Sequence, residues 1–91
     1  MRKRTYSLEV IKAILESKRI QRDCLIRQQE MIGLILKHGE ELRSVTMLWL
    51  AGEDNFNRWV SEPASAEASI ERSKELLAKV EQEIASLEAQ L

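Results

Sequence analysis

The amino-acid sequence predicts an all-α protein: a three-helix bundle or helical hairpin with long coiled-coil-like helices, associating as a dimer. Three observations predict it. The first is composition: 44% of the residues are hydrophobic and 32% charged, with three glycines and one proline among 91 residues. That mixture suits long helices and argues against both disorder and a β-sandwich. The second is a heptad pattern in the last third of the chain. The third is size. A chain this short buries roughly 60–65% of the surface its unfolded form exposes, and association is a common remedy for so small a core.

The chain reads as one helical domain over residues 1–91. Residues 1–6 form a basic lead-in. Ser7 is a suitable N-cap, and Glu9 in the first turn favours the helix dipole. Helix 1 is expected over about 7–37, stopped by His38-Gly39, which places a cation in the last turn and glycine just past it. Its apolar positions Ile11, Ile14, Leu25, Ile32 and Ile35 keep a 3–4 rhythm. The same register puts Lys18, Gln21 and Gln28 on that stripe, so its ends are apolar and its middle polar.

Helix 2 is expected over about 40–60. Trp49, Gly52, Phe56 and Trp59 continue the 3–4 spacing, and the unbroken helix is the favoured form. Gly52-Glu53-Asp54-Asn55 is poor helix material, and a break at 52–55 is the alternative. Leu48, Leu50 and Val60 lie beside the aromatic face, so this helix is apolar around much of its girth. That much apolar surface exceeds what one small core absorbs and points to a homodimer or a tight partner. Residues 61–65 form the linker, where Pro63 ends one helix and permits the first turn of the next. Either Ser61 or Ser65 is a suitable cap.

Helix 3 is expected over about 65–91. Ile70, Ser73, Leu77, Val80, Ile84, Leu87 and Leu91 form an a/d series, apolar at every position except Ser73. Its flanks carry Glu81, Glu83 and Glu88. Parallel self-pairing through this seam sets Glu83 against Glu88 of the other copy, which repels. The chain offers a better mate. Net charge is −1 overall, yet residues 1–38 are basic and residues 39–91 acidic. Helix 1 presents Lys18, Arg19, Arg22 and Arg27, so helix 3 is expected to pack on helix 1, within one chain or across a dimer.

No catalytic constellation is legible, and the expectation is a non-enzyme with no cofactor. One histidine and one cysteine, fourteen positions apart, offer no zinc spacing. The three glycines are dispersed, so no phosphate loop occurs. The carboxylates of residues 67–88 fall mostly on a solvated face. Cys24 is alone, which suits a reducing compartment. The lead-in Arg2, Lys3 and Arg4 lacks a following apolar core, because Glu9 and Lys12 interrupt it, so a signal peptide is not expected here. A cytoplasmic location is expected, with no membrane partner.

The favoured function is a non-enzymatic protein-interaction module: a small regulator, adaptor or inhibitor that docks on a larger protein. So short a chain fits a phage or mobile-element origin. Candidate partner-binding residues are Trp49, Phe56, Trp59, Lys18, Gln21, Arg22 and Gln28, because aromatics and arginine anchor interfaces. Two alternatives remain: a structural assembly subunit, and a DNA-binding regulator with a C-terminal oligomerising helix. For the latter, Arg2, Lys3 and Arg4 form a candidate phosphate-contacting arm. Lys3-Arg4-Thr5-Tyr6-Ser7-Leu8-Glu9 and Asn57-Arg58-Trp59-Val60 resemble stretches of small insertion-element proteins, which join a helix-turn-helix to a leucine zipper. That likeness implies DNA binding, but the residues between lack a short turn and a basic second helix.

Overall fold

The computed structural model describes residues 6–44 and 52–91. Among them are three α-helices and one 3-10 turn. Helix α1, Leu8–His38, starts where Ser7 accepts a hydrogen bond from the Val10 amide at 3.3 Å. That bond satisfies one of the donors every helix start leaves over. Lys37 and His38 sit in its last turn, and Gly39 ends it at φ 55°, ψ −124°, a conformation that favours glycine. A second helix does not begin directly. Gly39–Leu42 makes a 3-10 turn, and Arg43 and Ser44 turn the chain. Helix α2, Glu53–Ser61, follows Gly52 at φ 83°. Within the expected 40–60 helix, the described residues are α-helical only from Glu53 onward; residues 45–51, with Trp49, lie outside the described residues. Gly52 is not helical, and Glu53 and Asp54 supply the acidic first turn of α2.

The linker is shorter than the spacing suggested. Glu62 alone separates α2 from α3, Pro63–Glu88. The residue before a proline is biased to extended backbone, and Glu62 sits at φ −129°, ψ 81°. Pro63 then takes the first helical position, where its missing N–H costs nothing. Neither serine of the linker caps α3. The Ser65 hydroxyl instead donates to the carbonyl of Glu62 at 2.7 Å, and Ser61 donates to that of Asn57 at 2.9 Å. Leu91 lies past the end of α3 and is 54% exposed, so the apolar seam stops at Leu87.

Helices α1 and α3 run antiparallel, with the end of α3 beside the start of α1. Lys18 Nζ lies 2.8 Å from Glu83 and Arg19 Nη2 2.9 Å from Glu88. Farther along, Gln29 donates to the Ser73 hydroxyl at 3.2 Å. The basic helix thus takes the acidic one within the same chain. Glu81 is exposed, and the bridging carboxylates are those of Glu83 and Glu88. Such half-exposed pairs contribute little each, about 0.2–1 kcal/mol. Lys18→Glu should therefore lower the melting temperature slightly, and adding Glu83→Lys should restore it. The difference should fade in about 0.5 M salt, because screening removes the charge contribution. Thermal melts of the four forms read this directly.

Two apolar clusters hold the helices. At one end Met31, Ile32 and Ile35 of α1 meet Phe56 and Trp59 of α2 and Ala66 of α3. At the other, Ile11, Leu15 and Leu25 meet Val80 and Ile84, with Leu77 and Leu87 alongside. Between them lies Ser73, only 1% exposed. Its hydroxyl accepts from Gln29 and donates to the Leu25 carbonyl at 3.3 Å. This one polar a/d position of α3 is thus satisfied, which a buried hydroxyl requires. Among the described residues the result is a three-helix end and a two-helix end on one rod. Its principal extents are 54 × 23 × 17 Å and its radius of gyration is 17.0 Å, against about 12 Å for a compact chain of this length. Among the described residues no helix is long and apolar enough to cross a membrane.

Candidate docking groove

Helix α1 turns about 100° per residue, so a rhythm of threes and fours can mix neighbouring rows. The expected stripe does so. Ile11, Leu25 and Ile32 are buried, and Lys18 reaches Glu83 on α3. Ile14, Gln21, Gln28 and Ile35 form the adjacent row. Ile35 packs with Phe56 and Trp59, Ile14 is half-buried, and Gln21 and Gln28 are exposed. The row that completes the contact with α3 is Leu15, Arg22, Gln29 and Leu36, all buried or half-buried. Leu15 and the Gln29–Ser73 layer escaped the sequence reading, because one residue of phase separates the two rows.

The partner-binding candidates divide accordingly. Gln21, Gln28 and Trp59 are brought together on one groove. Phe56 is fully buried and serves the core. Lys18 is engaged with Glu83, and Arg22 is half-buried with its Nε 3.5 Å from Asp23. Trp49 and the arm Arg2, Lys3 and Arg4 lie outside the described residues.

The groove lies where α2 crosses α1 and has a volume of about 460 Å³. Leu25, Met31 and Trp59 give it an apolar floor, Trp59 being 5% exposed. Gln21, Gln28 and Arg27 give it a polar rim, and Cys24 and Asn55 complete the lining. Asn55 accepts from Arg58 at 3.2 Å. The site is an apolar floor with hydrogen-bonding groups around it, which suits an inserted apolar side chain fixed by polar contacts at its base. Of these residues Cys24, Arg27, Met31 and Asn55 were not foreseen. Met31 and Cys24 sit seven positions apart, and that spacing was the available signal. Among the described residues no three His, Cys, Asp or Glu side chains gather as a metal site.

A brace of charge and ring links the segment after α1 to α2. Arg43 donates to both carboxylate oxygens of Glu40, at 2.5 and 2.7 Å, and its guanidinium lies 5.0 Å from the centre of the Phe56 ring. The hydrogen bonds from Arg43 hold the Glu40 carboxyl below the usual carboxylate range. A lowered folded pKa means that the brace helps the fold above the usual carboxylate range and is lost as pH falls through the lowered value. Acidification should therefore free Arg43, seen as loss of its protected Nε–H signal in NMR at a pH below that at which an unpaired glutamate titrates.

Comparison with protein-family models, with curated proteins and with solved structures gave no match.

Proposed function

We propose that the chain is a non-catalytic protein-interaction module, a small regulator, adaptor or inhibitor that docks on a larger protein through the groove between α1 and α2. The observation that carries this reading is the groove itself. Its floor of Leu25, Met31 and Trp59 is apolar, while Gln21, Gln28 and Arg27 surround it with donors and acceptors. A buried aromatic beside rim polar groups is the usual anatomy of a docking hot spot. The partner segment would insert an apolar side chain against Trp59 and make polar contacts at the rim. The module works as a homodimer with coiled-coil-like helices in the cytoplasm.

Capture from the native host's extract tests the groove when run with paired variants. Gln28→Arg puts a bulky cation on the rim of the groove. Leu76→Lys changes an exposed position on α3, 49% accessible. The captured protein should be lost with Gln28→Arg and kept with Leu76→Lys. Equal capture by both variants would exclude the groove as the docking surface.

A further inference from the structure

Helix α2 is held differently from its neighbours. It has nine residues, and Phe56 and Trp59 are its two buried side chains. A helix that short does not persist on propensity alone and needs packing to hold it. Gly52 precedes it at φ 83° and has no side chain with which to cap it. Behind it stands Glu62, outside the helical region at φ −129°, ψ 81°. Pro63 follows, and it has no N–H to carry the helical hydrogen-bond ladder from α2 into α3. At both of its ends the backbone can therefore turn without breaking α1 or α3.

The frame beneath α2 is larger. Helix α1 has 31 residues and α3 has 26. They meet through Ile11, Leu15, Val80 and Ile84, in a cluster to which α2 contributes none of the described residues, and through Ser73 with Gln29. Seating α2 buries Phe56 and Trp59 against Met31, Ile35 and Ala66. Against that gain stands the conformational entropy of nine ordered backbone residues. Its cost is of the same order as the gain from burying two aromatic side chains.

We infer that α2 is a latch: it opens from the α1–α3 frame as a unit, and in opening it dismantles the docking groove. The groove has walls on two helices. Gln21, Cys24 and Gln28 belong to α1, whereas Asn55 and Trp59 belong to α2. When α2 leaves, the floor loses Trp59 and the rim loses Asn55, so the site exists only in the latched state. A group seated there binds that state alone and holds the latch shut by mass action. Docking and the ordering of α2 are then one equilibrium, and a change that loosens α2 weakens docking without touching a groove residue. This deepens the proposed function and rests on it for the groove's role, while the opening itself is a property of the chain alone.

Native-state hydrogen exchange on the full chain, in urea too dilute to unfold it, tests the opening. The amides of residues 56–60 should exchange ahead of those of residues 25–36 of α1, with a weaker urea dependence, because a local opening exposes less surface than global unfolding. Ile84→Ala weakens the frame and should leave exchange over 56–60 unchanged. Arg43→Ala removes the cation from the Phe56 ring and should speed exchange there about two- to fivefold. Cys24, exposed on the α1 wall, gives a handle on the groove. Reaction with N-phenylmaleimide sets a ring against the apolar floor, and N-methylmaleimide is the control. The phenyl adduct should slow exchange over 56–60 by about threefold or more relative to the methyl adduct, with residues 11–15 equal in both.

Exchange over 56–60 that keeps pace with residues 25–36 at the same urea dependence, or that speeds up in Ile84→Ala, would overturn the latch and leave the groove standing as a rigid docking site. Equal or faster exchange over 56–60 in the phenyl adduct would overturn the tie between latch and groove. Capture with Gln28→Arg and Leu76→Lys bears on docking alone, so the two readings fail separately.

Discussion

Phe56→Ala should destabilise the protein by about 3–5 kcal/mol, the range for removing a fully buried phenylalanine. Phe56 has no solvent exposure and lies among Met31, Ile32, Ile35, Trp59 and Ala66, with the Arg43 guanidinium over its ring. Among the described residues it is the largest of the side chains that are buried completely. A chain of this length has about 5–14 kcal/mol in total, so this one change removes a large share. The loss falls first on α2. That helix has nine residues, too few to persist without packing, and Phe56 and Trp59 are its two buried contacts. Urea unfolding followed by circular dichroism measures the shift in midpoint. Phe56→Leu keeps an apolar group of similar size and should cost less than about 1.5 kcal/mol. A Phe56→Ala loss below about 1 kcal/mol would mean that α2 is not seated on α1 through this ring.

Much of the fold was legible because its signals are local. The Ser7 cap, the Gly39 stop and the Pro63 start act through backbone geometry within a few residues, and each sits at the helix end it foretold, to within two residues. The choice of α1 as the mate of α3 was legible from charge, since Lys18 and Arg19 meet Glu83 and Glu88. The rest depends on phase. A stripe read as Ile11, Ile14, Lys18, Gln21 and Leu25 blends two rows that lie less than one turn apart. Only three-dimensional packing assigns Leu15 and Gln29 to α3 and leaves Gln21 and Gln28 on the groove. The polar middle of α1 was visible as an oddity. Its resolution needed Ser73, the single polar member of the α3 series, to sit against Gln29 rather than Gln28. Within the groove, Trp59 and the two glutamines were nameable from sequence. Asn55 was not, because its place depends on the helix restarting after Gly52.

Ile84→Ala should cost about 2–4 kcal/mol and should act on one end of the rod. Ile84 is 5% exposed in the cluster with Ile11, Leu15, Leu25 and Val80, where, among the described residues, α1 and α3 meet. The other cluster, around Phe56, shares none of these residues. Between the two lies the Ser73 layer, whose hydroxyl holds Gln29 and the Leu25 carbonyl. A hydrogen-bonded layer of this kind contributes only about 1 kcal/mol, and it supplies no apolar burial to couple the clusters. Partial opening is therefore expected, with the two-helix end exposing its amides while the three-helix end stays closed. Hydrogen exchange resolved along the chain should show faster exchange over residues 8–22 and 78–88 in Ile84→Ala, with residues 31–36 and 56–60 little changed. Uniform acceleration across both ends would make the rod one cooperative unit and remove the layer as a boundary.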